Sequence, residues 1–226
     1  MGPLERRSPL SSLEIQTRRC ARNAASLRDP REGRNAAAQM KAFAGVGYRA
    51  RMAADKPFGF QTHPSVTSSA PPEAVYDVIA DLRNHVVWSG EMAASEGFRM
   101  LSLDAPEGPA TVGTTFSSSG SAQKDTFHDL SVVTEANRPS RFTIETDATL
   151  ERRSAPTWEG HFIHRYDITA EGAGSRIVYT ETIERVNYVP YWLKPGIRTI
   201  FKPWVNSADR KQLRNLARLA EERSTG

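Results

Sequence analysis

The sequence predicts an α+β domain built from a first strand, a short helix, a series of antiparallel strands and a long C-terminal helix. The first observation is a capped apolar helix signal within residues 69–88. The second is a succession of consecutive β-like runs separated by Gly and Pro. The third is a change to helical periodicity near the C-terminus.

The short helix is the most clearly marked element. Ser69 or Ala70 is placed to cap it, and the two prolines that follow suit a first turn whose N–H groups have no partner. Glu73 adds negative charge at the positive end of the helix dipole. Four apolar residues at i, i+3, i+4 and i+7 then form one stripe, which must pack on something: Val75, Val78, Ile79 and Leu82. Upstream, Phe58 to Thr67 has the pattern of a strand.

Six β-like runs follow the helix. They are Gly97–Leu103, Gly113–Ser119, Thr126–Thr134, Arg141–Thr149, Trp158–Thr169 and Arg176–Arg185. From Val205 to Arg223 the period changes, and one face carries Leu213, Leu216, Ala217 and Ala220. The chain is therefore expected to end in an amphipathic helix.

Several segments, taken in this order and spacing, resemble a known superfamily. They are APPEAVYDVIADLRNHVVW (70–88), the Gly113-Thr114 start of a strand, RPSRFTIE (138–145), HRYDITAEGAGSRIVYTE (164–181) and LRNLARLAEE (213–222). The chain resembles the polyketide cyclase/dehydrase and lipid-transport superfamily (SRPBCC), which is related to START domains and pollen-allergen-like ligand carriers. The resemblance implies a helix-grip fold, in which a curved antiparallel sheet wraps around the last helix and leaves an internal cavity.

Charge is distributed unevenly along the 226 residues. Residues 1–56 hold 12 Lys and Arg against 5 Asp and Glu, a net of +7, so the remaining 18 and 21 give −3. The overall net charge of +4 is thus a property of the N-terminal segment. Because the rest of the chain is slightly acidic and shows no nucleic-acid motif, no nucleic-acid partner is predicted.

The domain is expected to span residues 57–222, preceded by a basic extension over residues 1–56. Three interpretations of the extension stay open: a disordered tail, a transit-like segment, or upstream sequence that is not translated, with Met52 as the start. Cys20 is the only cysteine, so no internal disulfide is expected and a reducing, cytoplasmic location is favoured. No apolar run is long enough to span a bilayer.

The last two strands are predicted to form a hairpin whose register can be worked out. If Glu171 to Gly174 form the loop, the numbers of paired residues sum to 345. The pairs are then Ile168 with Ile177, Tyr166 with Tyr179, His164 with Glu181, and Phe162 with Ile183. One face of the hairpin is therefore apolar and aromatic, with one His–carboxylate pair embedded in it.

His164 and Glu181 have two interpretations. A carboxylate beside an imidazole favours the imidazolium and burial opposes it, so the pKa of His164 is expected where a proton shuttle works. The alternative is a satisfied cross-strand pair without chemistry. The alternative is preferred, because one His and one Glu supply neither a nucleophile nor an oxyanion site.

Neither a metal nor a cofactor is predicted. His161 and His164 are spaced i, i+3 on a strand and face opposite sides, while the remaining histidines are scattered. Residues 113–120, GTTFSSSG, have glycines too far apart for a phosphate loop and lack its Lys-Ser/Thr end.

Eight aromatic residues lie in the elements expected to enclose the cavity, and they are the predicted ligand-binding residues. They are Trp88, Phe116, Phe127, Phe142, Trp158, Phe162, Tyr166 and Tyr179. Filling a solid core is the competing interpretation of all eight.

The segment Asn187 to Trp204 is rich in aromatic residues and interrupted by three prolines, which is too broken for one regular helix. It is expected to cover the cavity mouth or the sheet edge. The second interpretation is peripheral membrane contact, since Lys194, Arg198 and Lys202 are interleaved with the aromatic rings.

These observations predict that the domain binds or carries a hydrophobic small molecule, such as a lipid or a polyketide-like compound. A binding protein is favoured over an enzyme. The alternatives are a cyclase or dehydratase that uses His164 and Glu181 as an acid–base pair, and a protein-interaction module with a vestigial cavity. Ligand identity and oligomeric state are left open by the sequence.

Overall fold

A computed structural model describes residues 56–91, 98–189 and 194–225. Within these ranges the chain forms eight strands: β1 (Lys56–Thr62), β2 (Ser65–Ser68), β3 (Phe98–Asp104), β4 (Thr115–Ala122), β5 (Asp125–Asn137), β6 (Arg141–Glu151), β7 (Trp158–Glu171) and β8 (Gly174–Val186). The helices are α1 (Pro72–Ala80) and α2 (Pro195–Ser224), and a π-helical turn spans Val86–Glu91. The predicted extension, with Cys20 and Met52, lies outside the described residues.

All eight strands belong to one antiparallel sheet. The order is β1, β8, β7, β6, β5, β4, β3, and β2 pairs with β8 beyond the end of β1. The sheet is curved, and it does not close because its outer strands β1 and β3 are not paired with each other. With α2 as the C-terminal helix, this is the predicted α+β helix-grip fold.

The predicted hairpin register is confirmed. In β7 and β8, Ile168 pairs with Ile177, Tyr166 with Tyr179, His164 with Glu181, and Phe162 with Ile183. The turn is made at Gly172, which has a φ of 60°. Positive φ is the conformation in which Gly is favoured, so the turn agrees with the expected loop.

Three of the four residues of the predicted apolar stripe lie in α1, whereas Leu82 lies in the turn after its C-cap Asp81, and the predicted N-cap is wrong. Val75, Val78, Ile79 and Leu82 are each at most 1% exposed. Pro71, rather than Ser69 or Ala70, is the N-cap, and no side chain caps the helix. The backbone N–H groups of Ser69 and Ala70 instead donate to Glu221 Oε1 (2.8 Å) and Ser68 Oγ (3.2 Å). A carboxylate from α2 therefore binds an N–H group of the turn that precedes α1.

The predicted single strand over residues 58–67 is two strands. β1 and β2 are separated by His63 and Pro64, which belong to neither. Proline has no N–H to donate to a ladder, so the strand is interrupted there. The carbonyl of Pro64 still accepts a hydrogen bond from the Tyr179 N–H at 3.0 Å.

The prediction that residues 187–204 are too broken for a regular helix is wrong for their second half. α2 begins at Pro195, ten residues before the predicted start at Val205. Pro195 suits the first helical turn, where no N–H partner is needed. Pro203 lies inside the helix, where its missing N–H removes one hydrogen bond but does not end it. Residues 190–193 lie outside the described part.

The core forms where α1 and α2 pack on the sheet. Leu213, Leu216 and Ala220 of α2 are at most 1% exposed, together with Phe142 and Ile177 of the sheet. A second cluster lies near β1 and contains Phe60, Trp158, Ile183 and Val186. The cavity described next lies between the sheet and α2.

Candidate functional site

A cavity of about 420 Å³ lies between the sheet and α2. Four aromatic residues line it: Trp88 of the π-helical turn, Phe116 of β4, Tyr166 of β7 and Tyr179 of β8. The rings are arranged edge to face and in tilted stacks, with centroids of Trp88 and Tyr166 6.2 Å apart and those of Tyr166 and Tyr179 4.9 Å apart. Trp88, Tyr166 and Tyr179 thus form one contiguous aromatic group on the wall.

The other four predicted aromatic residues lie away from this cavity. Phe142 is fully buried and packs edge to face on Tyr76 at 5.8 Å. Phe127 is buried against Gly120, where an added Cβ would lie 2.5 Å from its ring. Trp158 and Phe162 pack on each other, 5.7 Å apart, in the cluster near β1. These four residues fill the core between and beside the strands.

His164 and Glu181 are cross-strand neighbours and both line the cavity. The expected ion pair is nevertheless absent from the described contacts: His164 Nδ1 is hydrogen-bonded to the Tyr179 hydroxyl at 2.7 Å. Burial lowers the pKa of His164 to about 4. The expectation of a proton-shuttling pKa at His164 is therefore wrong, because removal from water, and then the nearby His85 and His161, all disfavour the imidazolium.

Glu181 instead shares the cavity with a carboxyl group that the sequence analysis did not single out. Asp209 of α2 is 7% exposed and lines the same cavity. Burial, and then the Asp209 carboxyl, raise the pKa of Glu181 to about 8. Burial raises the pKa of Asp209 to about 6, while the Thr62 hydroxyl donates a hydrogen bond to Asp209 Oδ2 at 2.8 Å and opposes the rise. The two environments push the pKa values of neighbouring carboxyl groups apart.

A third carboxyl group, Asp129 of β5, lines the cavity near Ser118. Burial raises the pKa of Asp129 to about 7, and the Ser118 hydroxyl donates a hydrogen bond to Asp129 Oδ2 at 3.2 Å. His85, 8% exposed, donates from Nε2 to the carbonyl of Ile79 at 3.2 Å, and burial lowers its pKa to about 4. The concave face is therefore more polar than the apolar surface that the hairpin pattern predicts.

Both missed carboxyl groups had a signal in the sequence. Asp209 precedes Leu213 by four residues and Leu216 by seven, so it lies on the predicted apolar face of α2. Asp129 follows Phe127 by two residues and therefore shares its face of β5. An acidic residue on an otherwise apolar face indicates either that the face is assigned wrongly or that the acidic group is buried for a function. Here both acidic residues line the cavity.

His161 lies on the other side of β7. Its Nδ1 is 2.7 Å from Asp147 Oδ1, and its Nε2 is 3.8 Å from Glu145 and 3.7 Å from Glu184. Among the described residues, no group of His, Cys, Asp and Glu has the arrangement of a metal site. His161 and His164 therefore do not act together.

The first turns of α2 cover the edge strand β1. The guanidinium of Arg198 lies over the rings of Phe58 and Phe60, at 4.9 and 5.3 Å. A more open pocket of about 550 Å³ lies there and is lined also by His63 and Lys202. This packing agrees with the expectation that the segment covers the sheet edge. No helix in the described ranges combines the length and apolar character needed to cross a membrane.

Comparison with solved structures supports the fold. An uncharacterised protein from Rhizobium leguminosarum matches with a TM-score of 0.54 at 14% identity, covering 75% of this chain and 98% of that one. The Mll3558 protein from Rhizobium loti matches with a TM-score of 0.51 at 15% identity, covering 72% and 97%. At these identities the likeness concerns the fold alone. A search of curated proteins finds no match.

Residues 60–221 match the family described as polyketide cyclase / dehydrase and lipid transport. The match begins within β1, ends within the last turn of α2 and includes every lining residue named above. It thus covers well over half of the 226 residues. The chain belongs to the polyketide cyclase/dehydrase and lipid transport family.

Proposed function

We propose that this domain binds a hydrophobic small molecule in the cavity between the sheet and α2. The observation that carries the proposal is the ring-lined cavity itself. Its volume of about 420 Å³ falls in the range of small-molecule sites, and aromatic walls with a few polar groups are typical of them. Membership of the family agrees with this proposal.

The polar groups of the cavity narrow the ligand class. Three carboxyl groups and the Tyr179 hydroxyl lie on the wall, and the Trp88 N–H, which has no acceptor among the described residues, would stay without one against an acyl chain. Burying polar groups without partners costs free energy. A ring system with polar substituents, as in a polyketide-like compound, fits this wall better than a simple acyl chain.

Binding of a neutral fluorescent probe, N-phenyl-1-naphthylamine, tests the proposal. Ala208 lines the cavity, and Ser207 beside it on α2 is exposed. The Ala208→Trp variant fills the cavity and is expected to weaken probe binding by about tenfold or more, whereas Ser207→Trp keeps it. Equal binding by both variants, with both folded by circular dichroism, would place the probe elsewhere and reject the cavity as the site.

A second candidate function is acid–base catalysis, which the carboxyl pair favours. Glu181 and Asp209 line the same cavity, and burial raises the pKa of both, so the pair can hold a proton near neutral pH and offer one carboxyl group as a general acid and the other as a general base. His164 does not form the predicted acid–base pair with Glu181, because its Nδ1 is hydrogen-bonded to the Tyr179 hydroxyl. Here the pair Glu181 and Asp209 replaces the pair His164 and Glu181 in the proposed mechanism.

A polyketide-like substrate whose cyclisation or dehydration is followed by absorbance tests this second candidate. We expect a bell-shaped rate profile between about pH 6 and pH 8. Asp209→Asn and Glu181→Gln should each lower kcat by about 100-fold or more, a loss within the range of general acid–base catalysis. Glu184→Gln, on the outer face of β8, should leave the rate unchanged. A flat profile, or equal rates in all three variants, would leave binding as the function.

We also propose that the ligand-binding domain spans residues 57–222 and works in the cytoplasm. The single cysteine supports a reducing compartment.

Membrane contact through residues 187–204 belongs to the same proposal as a means of ligand pickup, and the interleaved Lys194, Arg198 and Lys202 support it. Flotation with anionic phosphatidylserine vesicles tests the contact, and a protein that stays at the bottom of the gradient contradicts it.

A further inference from the structure

Among the described residues that line the cavity, three carry carboxyl groups and one, Lys211, carries an amine. Asp129, Glu181 and Asp209 all line it. None of the three forms an ion pair with a basic side chain in the part of the chain that the structure describes. Their described hydrogen bonds come from hydroxyl groups, Thr62 to Asp209 and Ser118 to Asp129. Buried carboxyl groups without a counter-charge are costly, so they are retained where they meet a ligand.

The other ionisable groups of the wall do not supply the missing charge. His85 precedes the π-helical turn, and His164 lies on β7; burial lowers the pKa of each to about 4, so both are neutral. Burial raises the pKa of Tyr166 and of Tyr179, which keep their protons. Lys211 of α2 also lines the cavity, and none of the described ion pairs joins it to the three carboxyl groups.

A second observation points to a ligand at the same wall. Trp88 is 2% exposed and lines the cavity, yet its Nε1–H has no acceptor among the described residues. Buried indole N–H groups ordinarily find a partner. The rings of Trp88, Tyr166 and Tyr179 also present the negative faces that attract an organic cation.

We propose that the cavity selects ligands with a positively charged nitrogen, held beside Glu181 and Asp209 and against the rings of Trp88, Tyr166 and Tyr179. The ligand class is an aromatic or alicyclic amine, with an oxygen that accepts from the Trp88 N–H. This inference rests on the proposed binding function and names the chemistry that the cavity prefers. No reaction is required for it.

Proton release distinguishes a cation from any neutral ligand. A bound cation favours the ionised carboxyl groups, so Glu181, whose pKa burial raises to about 8, gives up its proton when the cation binds at pH 7. A neutral ligand of the same shape removes water without adding charge, so it releases no proton. The affinity for a permanent cation therefore rises with pH, whereas the affinity for its neutral counterpart stays level or falls.

The test uses two probes of one shape: (1-naphthylmethyl)trimethylammonium, which is permanently charged, and 1-neopentylnaphthalene, its neutral isostere. Isothermal titration in buffers of different ionisation enthalpy measures the protons released. We expect the cation to bind about tenfold or more tightly than the isostere at pH 8, with release of up to about one proton at pH 7 and an affinity that rises up to about tenfold per pH unit from pH 6 to pH 8.

Substitutions test which carboxyl groups produce the preference for the cation. Glu181→Gln and Asp209→Asn should each reduce the preference for the cation about tenfold while keeping the isostere bound, which also shows that they are folded. Glu184→Gln removes the same charge from the opposite face of β8, where the side chain is half exposed, and should change neither affinity. An unchanged preference in both cavity variants overturns the inference.

The two proposals fail differently. If the isostere binds and the cation binds no better and releases no proton, the cavity is a binding site but does not select cations, and the inference is overturned. If neither probe binds, the proposed binding function fails together with it. If the cation binds more tightly with proton release that is lost in Glu181→Gln, both stand.

Discussion

At the scale of the residue, burial rather than pairing decides the charge of the cavity groups. His164 and Glu181 are adjacent across β7 and β8, and in water such neighbours would form an ion pair. Removal from water instead lowers the pKa of His164 to about 4 and raises that of Glu181 to about 8, so both are mostly neutral at pH 7. The resulting pair is an imidazole bonded to Tyr179 and a carboxyl group beside Asp209.

This behaviour predicts how stability depends on pH above 6.5. Glu181 and Asp129, with folded-state pKa values of about 8 and about 7, hold protons that the unfolded chain has already released. The free energy of unfolding should therefore fall as pH rises from about 6.5 to about 8, by up to about 1 kcal/mol per pH unit. The neutral His85 and His164 act in the opposite direction only below this window, between about pH 4 and pH 6.5.

Urea unfolding of Glu181→Gln at a series of pH values measures this effect. The variant should show a shallower fall than the wild type above pH 6.5, because it has no proton to lose there. Glu184→Gln, exposed on the same strand, should follow the wild-type curve. Parallel curves for Glu181→Gln and the wild type would show that Glu181 is already ionised in the folded protein.

At the scale of the element, two acidic side chains, one near its middle and one near its end, anchor α2 to the rest of the domain. Near the middle of the helix, Asp209 accepts from Thr62 of β1. Near its end, Glu221 accepts from the Ser68 hydroxyl at 2.9 Å and from the Ser69 N–H at 2.8 Å. These two hydrogen bonds lower the pKa of Glu221 and join the helix to the corner between β2 and α1.

Removing the second anchor should weaken the domain measurably. Glu221→Ala deletes the acceptor of two hydrogen bonds, and we expect the free energy of unfolding to fall by about 1 kcal/mol. Glu222→Ala is the matched control, since that carboxylate is exposed and pairs only with Arg218, 3.2 Å away and four residues earlier. Exposed pairs of this kind contribute little. If urea unfolding shows equal losses in the free energy of unfolding for the two variants, the hydrogen bonds of Glu221 do not stabilise the domain.

At the scale of the whole molecule, the sheet, α1 and α2 enclose the core formed by the described residues. Every described core contact lies between residues 58 and 220. The π-helical turn completes the cavity by placing Trp88 over Tyr166. Residues 57–226 carry a net charge of −3.

Removal of the extension should leave the domain intact. A chain that starts at Met52 is expected to keep its Tm within about 3 °C of the full chain, because a change of 1 kcal/mol shifts the Tm of a domain this size by roughly 2–4 °C. It should also bind N-phenyl-1-naphthylamine with unchanged affinity. A large fall in Tm would show that residues 1–51 pack on the domain.

Sequence patterns predicted the order of the elements and the register of the last hairpin. Alternation along β7 and β8 and a turn at Gly172 leave a single register that keeps Tyr166 and Ile168 on the same face as Tyr179 and Ile177, so local pattern was sufficient. The boundaries at Pro64, Pro71 and Pro195 were predicted at the wrong residues. A proline can interrupt a strand or begin a helix, and the sequence pattern does not show which of the two it does.

Only the tertiary structure decided which groups share the cavity. His164 is hydrogen-bonded to Tyr179 rather than to Glu181, and Asp209 of α2 lines the same cavity as Glu181. Glu181 lies on β8 and Asp209 on α2, and the number of residues between them does not predict how close they come in the fold. Their pKa values depend on burial, which a one-dimensional pattern does not contain. The chemistry of the site therefore follows from how α2 lies across the sheet.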